Sequence, residues 1–420
     1  MSNYICTLDF GSSKITAAAA KVGRKGLSDL HFTMMPSKGI EKGMIVDSAA
    51  FSNSVRAVLR NLCVKSGVKI RNIYSNISAS NVLVKHSRAI IPLTERGNKV
   101  DTPSDVMRVN HQARVLGANL EEEIIHQIPY SYSIDSKEEV LNPLGLYSHK
   151  LESDMLLVCG RMSFVQSLSR AVNQAGYELK GMALSGIAAA EVVFDPLMRE
   201  GTSVFCDIGS DNTEMLIFRN GSLRHIEILP IGGDDITMEL AKTVDIPSGL
   251  AEDIKITHAF AGDCSKIEED KEVLIKRNNI YKPVKQRQIC EVTTAKTREI
   301  CTNIRRTLER TVTCGEVDNL IAAGRTIALD GFLEMLETSL GIPVRQSRIL
   351  NPGIAAMLKN EDILSGQKYM AYITCFGLLC VAHSYEYPSD NGQSPAGTNV
   401  SGNWMRKASA KMKEIYEEYF

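Results

Sequence analysis

Apolar residues dominate Tyr4 to Leu8, which predicts a short buried strand, and Gly11-Ser12-Ser13 supplies the turn behind it. From Ser48 to Gly67, Phe51, Val55, Val58, Leu59 and Leu62 recur at the spacing of an amphipathic helix. Ile70 to Ser80 and Leu83 to Ile91 read as strands, the second ended by Pro92. Thr102 to Leu120 reads as a helix with a Thr cap and Pro103 in its first turn. Strand and turn signals return between Ile124 and Cys159, before a helix from Ser163 to Ala175.

The second half repeats this alternation. Strand Ser203–Cys206 leads to Met215–Phe218, the Asn220-Gly221 turn and Ser222–Leu229, a hairpin pattern. Helices follow from Asp234 and over 247–260, and a long one covers 290–312. The stretch 268–288 changes from acidic to basic and reads as a solvated face or loop. Strand Leu320–Ala323 precedes a helix over 331–340, and Tyr369 to Ala382 is strongly apolar. That last segment is too short to cross a bilayer of about 30 Å as a helix and belongs in a core. Strands alternating with helices predict an α/β fold with sheet cores.

Composition narrows the classes. In 420 residues, 48 Lys and Arg face 49 Asp and Glu, a net charge of -1. That balance argues against a nucleic-acid binder and against a disordered acidic chain. The length alone suggests roughly two to three domains. The start, Met1 to Asp9, lacks a basic stretch followed by an unbroken apolar run, which argues against a cleaved secretion signal. The 10 cysteines form no CxxC, and neither they nor the 8 histidines cluster at zinc-ligand spacing. Reduced buried thiols of a cytosolic protein are the expectation.

Two segments share one grammar. Asp9-Phe10-Gly11-Ser12-Ser13-Lys14 and Asp207-Ile208-Gly209-Ser210-Asp211-Asn212-Thr213 each follow an apolar strand. In both, an aspartate precedes a glycine by two positions and small polar residues follow. Glycine permits a tight turn whose amides and hydroxyls converge on phosphate oxygens. The aspartates Asp9 and Asp207 are placed to orient waters on a divalent cation. One such turn is an ordinary β-turn pattern; two, one per half-chain, point to a nucleotide clamp.

With these turns the chain resembles the actin-like ATPase superfamily and, within it, the FtsA family of bacterial cell-division proteins. Gly39-Ile40-Glu41-Lys42-Gly43-Met44-Ile45-Val46-Asp47 is similar to that family's GI-x-x-G-x-(I/V)-x-D segment. Ile125 to Pro129, Asp135 and Asn142 to Leu146 resemble its HxxP…D…DPxGM run. Pro230 to Gly233, with Ala251 to Lys255, resembles P-x-GG…AExIK.

The resemblance implies an actin-like two-domain fold, with duplicated sheet-and-helix cores and an FtsA-type inserted subdomain. Residues 1–83 and 163–202 would form domain I, closed by 369–387, with the insert at 84–162. Domain II would span 203–368, with 232–312 as its outer subdomain, followed by a linker at 388–402. The implied ligands are ATP and Mg²⁺. Their contacts would come from Asp9, Gly11, Ser12, Ser13 and Lys14, and from Asp207, Gly209, Ser210, Asn212 and Thr213. Gly232 and Gly233, Glu252 and Lys255, and Gly324 and Arg325 complete the set. Glu252 and Lys255 also sit three apart on one helix face.

Three departures stand out. Ser210-Asp211-Asn212 replaces the Gly-Gly-Thr of the family's DIGGGTTD, so side chains limit backbone approach and Asp211 repels phosphate unless a cation intervenes. Ala323-Gly324-Arg325 replaces the start of TGGGAxLxG, and Arg325 would stack on adenine or fill the base site. Ser185 occupies the place where hydrolysing relatives carry an acid or amide. Nucleotide binding with weak or absent ATPase activity follows, with no catalytic residue assigned.

Residues 403–420, read at 100° per residue, place Trp404, Met405, Met412, Ile415, Tyr416, Tyr419 and Phe420 on one side. Four cationic side chains and three glutamates lie on the other. Such a helix, behind a polar linker, lies in a bilayer interface. The resemblance implies a peripheral protein on the cytoplasmic face of the cell membrane at the division site, polymerising with itself and meeting other division proteins. The FtsZ C-terminal tail would dock on the outer part of domain II, where Lys296, Arg298, Arg305 and Arg306 offer cations. A nucleotide-binding adaptor like the pilus protein PilM, and an actin-fold sugar kinase, are the alternatives.

Overall fold

The computed structural model describes residues 4–387 apart from 94–98, 101, 137, 196–197, 199–200, 269, 278–279, 360–362 and 364–367. The predicted linker and terminal helix, Trp404 to Phe420 included, lie outside the described residues.

The first sheet begins with β1 (Tyr4–Phe10), β2 (Lys14–Gly23) and β3 (Gly26–Pro36), a meander of tight antiparallel pairs. A small hairpin, β4 (Ile40–Glu41) and β5 (Met44–Ile45), leads to α1 (Ser48–Ser66). Asp47 caps α1 by accepting from the Ala49 and Ala50 amides, and Gly67 ends it. Its five predicted apolar positions are all buried. β6 (Asn72–Ile77) then pairs parallel with β1.

The chain next leaves the sheet. β7 (Val82–Pro92), α2 (Pro103–Gly117), β8 (Glu122–Ile134), β9 (Glu138–Val140) and β10 (Lys150–Arg161) form a four-stranded sheet in the order β7-β10-β8-β9. This unit has its own apolar cluster, which includes Val109, Ala113, Leu151 and Leu157. The Thr102 and Asp105 capping box starts α2 where the sequence predicts it. α3 (Met162–Gln174), β11 (Glu178–Leu184) and α4 (Ser185–Val193) return to the first sheet, which reads β11-β6-β1-β2-β3.

The second half repeats the plan with β12 (Thr202–Ile208), β13 (Thr213–Arg219) and β14 (Ser222–Leu229). α5 (Gly233–Val244), α6 (Ser248–His258), β15 (Glu272–Arg277), β16 (Ile280–Lys285) and α7 (Gln286–Leu308) form an outlying layer. β17 (Asn319–Ala323), α8 (Phe332–Leu340) and β18 (Val344–Gln346) complete a sheet ordered β14-β13-β12-β17-β18. Read from the meander outward, the two five-stranded sheets have the same order: hairpin pair, first strand, then two parallel neighbours.

α9 (Pro352–Leu358) and α10 (Ile373–Glu386) bring the chain back, and α10 packs on β1, β2 and β6 and against α4. The two helices cross so closely that a Cβ on Gly377 would stand 1.8 Å from the Ala188 carbonyl oxygen. The apolar stretch at Tyr369–Ala382 is therefore core, as its pattern predicts. One expectation is corrected: 268–288 is not a loop but carries the β15–β16 hairpin and the start of α7. Val284 and the half-buried Val273 tack that ribbon to the core, and its apolar residues come in runs, Val273-Leu274-Ile275 and Ile280-Tyr281, that show no alternation.

Candidate functional site

A cleft of about 1100 Å³ opens between the two sheets. Both duplicated turns face it, and they share one geometry. The Gly11 amide donates to the Lys14 carbonyl at 3.0 Å, and the Gly209 amide to the Asn212 carbonyl, also at 3.0 Å. Each turn closes an antiparallel pair in which its aspartate stands at the mouth: Asp9 opposite Thr16, and Asp207 opposite Glu214.

Most of the predicted nucleotide contacts line this cleft: Asp9, Gly11, Ser12, Ser13, Lys14, Asp207, Gly209, Ser210, Asn212, Gly233, Glu252, Lys255, Gly324 and Arg325. Two do not. Thr213 is fully buried, its hydroxyl donating to the Ile231 carbonyl at 2.9 Å. Gly232 packs behind the second turn, its α-carbon facing the Ser210 and Gly209 carbonyls. Both hold the turn from behind, because strand alternation points Thr213 away from the cleft.

The turn is also fixed from its other sides. Gly233 and Asp234 amides donate to the Gly209 and Ser210 carbonyls at 3.0 and 2.8 Å, and the Thr326 hydroxyl donates to Gly209 at 2.7 Å. Arg325 opens the 3-10 turn that carries Thr326, and it is exposed. Gly324 before it has φ +91° and lies against the Ile208 carbonyl. On α6, the Lys255 ammonium meets Glu252 at 2.6 Å, Thr237 at 2.7 Å and the Gly233 carbonyl at 3.0 Å.

The charge at the floor is uneven. Burial, then the nearby Asp207 carboxylate, pushes Asp9 up to about 7. Burial pushes Asp207 up to about 6. Glu214 goes up to about 8 through burial and the Asp207 and Asp9 charges, although it accepts the Gly186 amide at 2.6 Å. Lys14 is lowered by burial and by the Arg325 guanidinium. A divalent cation would relieve the Asp9–Asp207 repulsion, so these residues fit one. Among the described residues, no three His, Cys, Asp or Glu side chains converge to hold a metal alone. That suits an ion keeping most of its waters and bound with a nucleotide.

Glu214 and Asn76 were missing from the sequence-derived set. Asn76 accepts the Phe10 amide at 3.0 Å and donates to Ser185 Oγ at 3.2 Å, so it ties the first turn to the start of α4. Glu214, on β13 of the second sheet, accepts the Gly186 amide at that same helix start. Its signal was available, because the string DIGGGTTD closes with an acid at this position. Asn76, an amide inside an apolar strand, carried none.

The inserted sheet reaches this region through His126. Its Nε2 accepts the Leu184 amide at 3.0 Å, one residue before α4. Burial drives its pKa down to about 4.

Sequence comparison decides the family. A sequence model described as "Cell division protein FtsA" matches residues 204–373, and one described as "SHS2 domain inserted in FTSA" matches 80–159. The chain belongs to the FtsA family. Cell division protein FtsA of Pseudomonas aeruginosa is 26% identical over 401 residues, covering 93% of this chain and 95% of its own. The FtsA of Borreliella burgdorferi is 25% identical over 348 residues, covering 82% and 84%. That of Escherichia coli K12 is 23% identical over 419 residues, covering 97% of both chains.

Among solved structures, a PilM–PilN type IV pilus biogenesis complex matches with TM-score 0.62 and 15% identity, covering 92% of this chain and 99% of its own. MreB5 of Spiroplasma citri bound to ADP matches with TM-score 0.50 and 10% identity, covering 87% and 97%. These likenesses establish the actin-like fold, and the match over 80–159 marks the FtsA-type insert.

The four basic residues predicted to receive a partner do not share one face of α7. At 100° per residue, Lys296 lies on the flank of Asn303 and Arg310, while Arg298 and Arg305 lie on the opposite flank. Lys296 pairs with Glu299 at 2.9 Å, and Arg305 pairs with Glu309 at 2.9 Å and donates to the Ser339 carbonyl at 2.8 Å. Arg298 and Arg306 are exposed, with no carboxylate at ion-pair distance among the described residues.

Proposed function

We propose that this FtsA-family protein binds ATP with Mg²⁺ between its duplicated turns, polymerises, and tethers the FtsZ ring to the cytoplasmic membrane surface. The observation that carries the reading is the facing pair of identical turns, with Asp9 and Asp207 repelling each other across the floor. Asp9 and Asp207 would orient the cation's waters, and Lys14 and the amides of the first turn would meet phosphate. Glu252 and Lys255, three apart on α6, are the candidate ribose contacts. The bound cation would supply charge neutralisation; the protein supplies position.

Hydrolysis is slow in this reading. Ser185 stands at the start of α4 with its hydroxyl accepting from the Asn76 amide, and Glu214 is engaged by the Gly186 amide. Isothermal titration of the full chain with ATP and Mg²⁺ tests the binding. Measurable heat and a thermal upshift are expected; no heat and no shift would overturn it.

The domain division predicted from sequence, with the outer subdomain at 232–312 and a linker before a membrane-binding helix, belongs to the same proposal. So do the peripheral position at the division site and the contacts with other division proteins. The match to PilM favours a second reading, a nucleotide-binding adaptor outside the division ring. Co-sedimentation with an FtsZ C-terminal peptide separates the two, since only the first requires capture.

A further inference from the structure

The two turns already hold each other. The Ser12 hydroxyl of the first donates to the Asp211 carboxylate of the second, across the cleft. The same Ser12 oxygen accepts the Gly43 amide at 3.3 Å, so the β4–β5 hairpin is tied into the junction. Asp234 at the start of α5 stands close to Asp211, and burial and the Asp211 charge hold it up at about 6. The Ser12 hydroxyl, a predicted phosphate ligand, is therefore occupied, and a carboxylate pair stands beside it.

We propose that Asp211 is a gate between the two turns: its bond to Ser12 staples the cleft before nucleotide enters, and its charge admits only a cation-bound polyphosphate. This deepens, and rests on, the nucleotide reading above. A bare triphosphate entering here meets Asp211 and Asp234 with its own negative charge, and like charges at this range repel. The balancing cations are limited. Lys255 is held by Glu252 and the Gly233 carbonyl, which leaves Lys14 and the exposed Arg325 and Lys368 among the described residues that line the cleft. A divalent ion carried on the phosphates neutralises both partners at once and frees Ser12 from Asp211. The backbone explains why the residue matters. Were position 211 glycine, nothing would reach across to Ser12, and the turn's own amides would face the ligand.

The test uses the full chain, wild type against Asp211→Gly and Asp211→Asn, with adenosine, ADP and ATP as probes, each with Mg²⁺ or with EDTA. Wild-type affinity for ATP should fall at least about tenfold when Mg²⁺ is removed. Asp211→Gly should lose less than about threefold, with adenosine binding the same in both proteins. Asp211→Asn, which keeps a side chain able to reach Ser12 without charge, should behave like Asp211→Gly toward Mg²⁺. In the nucleotide-free proteins, amide hydrogen exchange over 10–14 and 209–213 should quicken in Asp211→Gly.

Equal Mg²⁺ dependence in all three proteins would overturn the gate while leaving nucleotide binding intact. Unchanged exchange in Asp211→Gly would overturn the staple. If adenosine, ADP and ATP bind none of the proteins, the nucleotide reading and the gate fall together, whatever the exchange shows.

Discussion

At the scale of single residues, the cleft is a set of groups whose charges are set against one another. Asp9 at about 7 and Glu214 at about 8 lie above the unfolded carboxylate range. Groups raised in this way stabilise the fold below pH about 4, and that contribution is lost as pH rises through 7 and 8. His126 runs the other way. At about 4 it lies below the unfolded value of 6.5, so its contribution is present above 6.5 and lost as pH falls toward 4. Between pH 4 and 6.5 the two trends oppose each other, and above 6.5 only the carboxylates act, so the melting temperature of the nucleotide-free protein should fall as pH rises from 6.5 to 8. Asp9→Asn should flatten that fall, for a shift worth up to about 4 kcal/mol, and His126→Gln should remove the opposing trend below 6.5, worth about 3. A profile unchanged by both substitutions would contradict the burial argument. Gly324 makes a second demand. Its φ of +91° and the Ile208 carbonyl oxygen, 2.2 Å from where a Cβ would sit, exclude any side chain. Gly324→Ala should cost at least about 1–3 kcal/mol in chemical denaturation, because the strained backbone and the clash add. The two turns were legible in the sequence because glycine and aspartate declare them. The Ser12–Asp211 bond was not, since it joins residues 199 positions apart.

Elements were legible where one face is apolar, as in α1, whose predicted five positions are all buried. They failed where tertiary contact supplies what the sequence lacks. The β15–β16 hairpin has its apolar residues in runs, Val273-Leu274-Ile275 and Ile280-Tyr281, rather than in alternation, so periodicity gave it no outline. α7 shows a subtler failure. Its basic residues are obvious in the sequence, but which flank each occupies depends on how the helix packs through Ile300, Ile304 and Leu308. That packing orders the expected effects on an acidic peptide. Lys296 and Arg305 already hold glutamates, whereas Arg298 and Arg306 carry charge toward solvent. The double substitution Arg298→Ala with Arg306→Ala should weaken co-sedimentation with an FtsZ C-terminal peptide several-fold. Lys296→Ala with Arg305→Ala should act less, because each removes an existing pair as well as a cation. The reverse ranking would show that the peptide displaces the glutamates from Lys296 and Arg305 rather than meeting Arg298 and Arg306.

At the scale of the whole molecule, the matching strand orders of the two sheets, and α4 and α10 between them, put the cleft where the halves meet. The sequence showed two halves through its repeated turn, yet it could not show that order, which is set by parallel pairing of strands far apart in the chain. No described helix is long and apolar enough to cross a membrane, so attachment in the proposed function falls to residues 403–420. The charge of that segment decides how it should bind. With four cations against three glutamates it has little net attraction for anionic lipid, and adsorption must come from Trp404, Met412, Ile415, Tyr416, Tyr419 and Phe420. Flotation with liposomes should therefore depend only weakly on salt and on anionic lipid content, unlike that of a basic helix. Deleting 403–420 should leave the protein at the bottom of the gradient, and Trp404→Glu with Ile415→Glu should do the same while the melting temperature stays unchanged. Flotation that survives the deletion would assign membrane contact to the folded body. Flotation lost on raising salt, with the apolar face intact, would assign it to the Arg406, Lys407, Lys411 and Lys413 side.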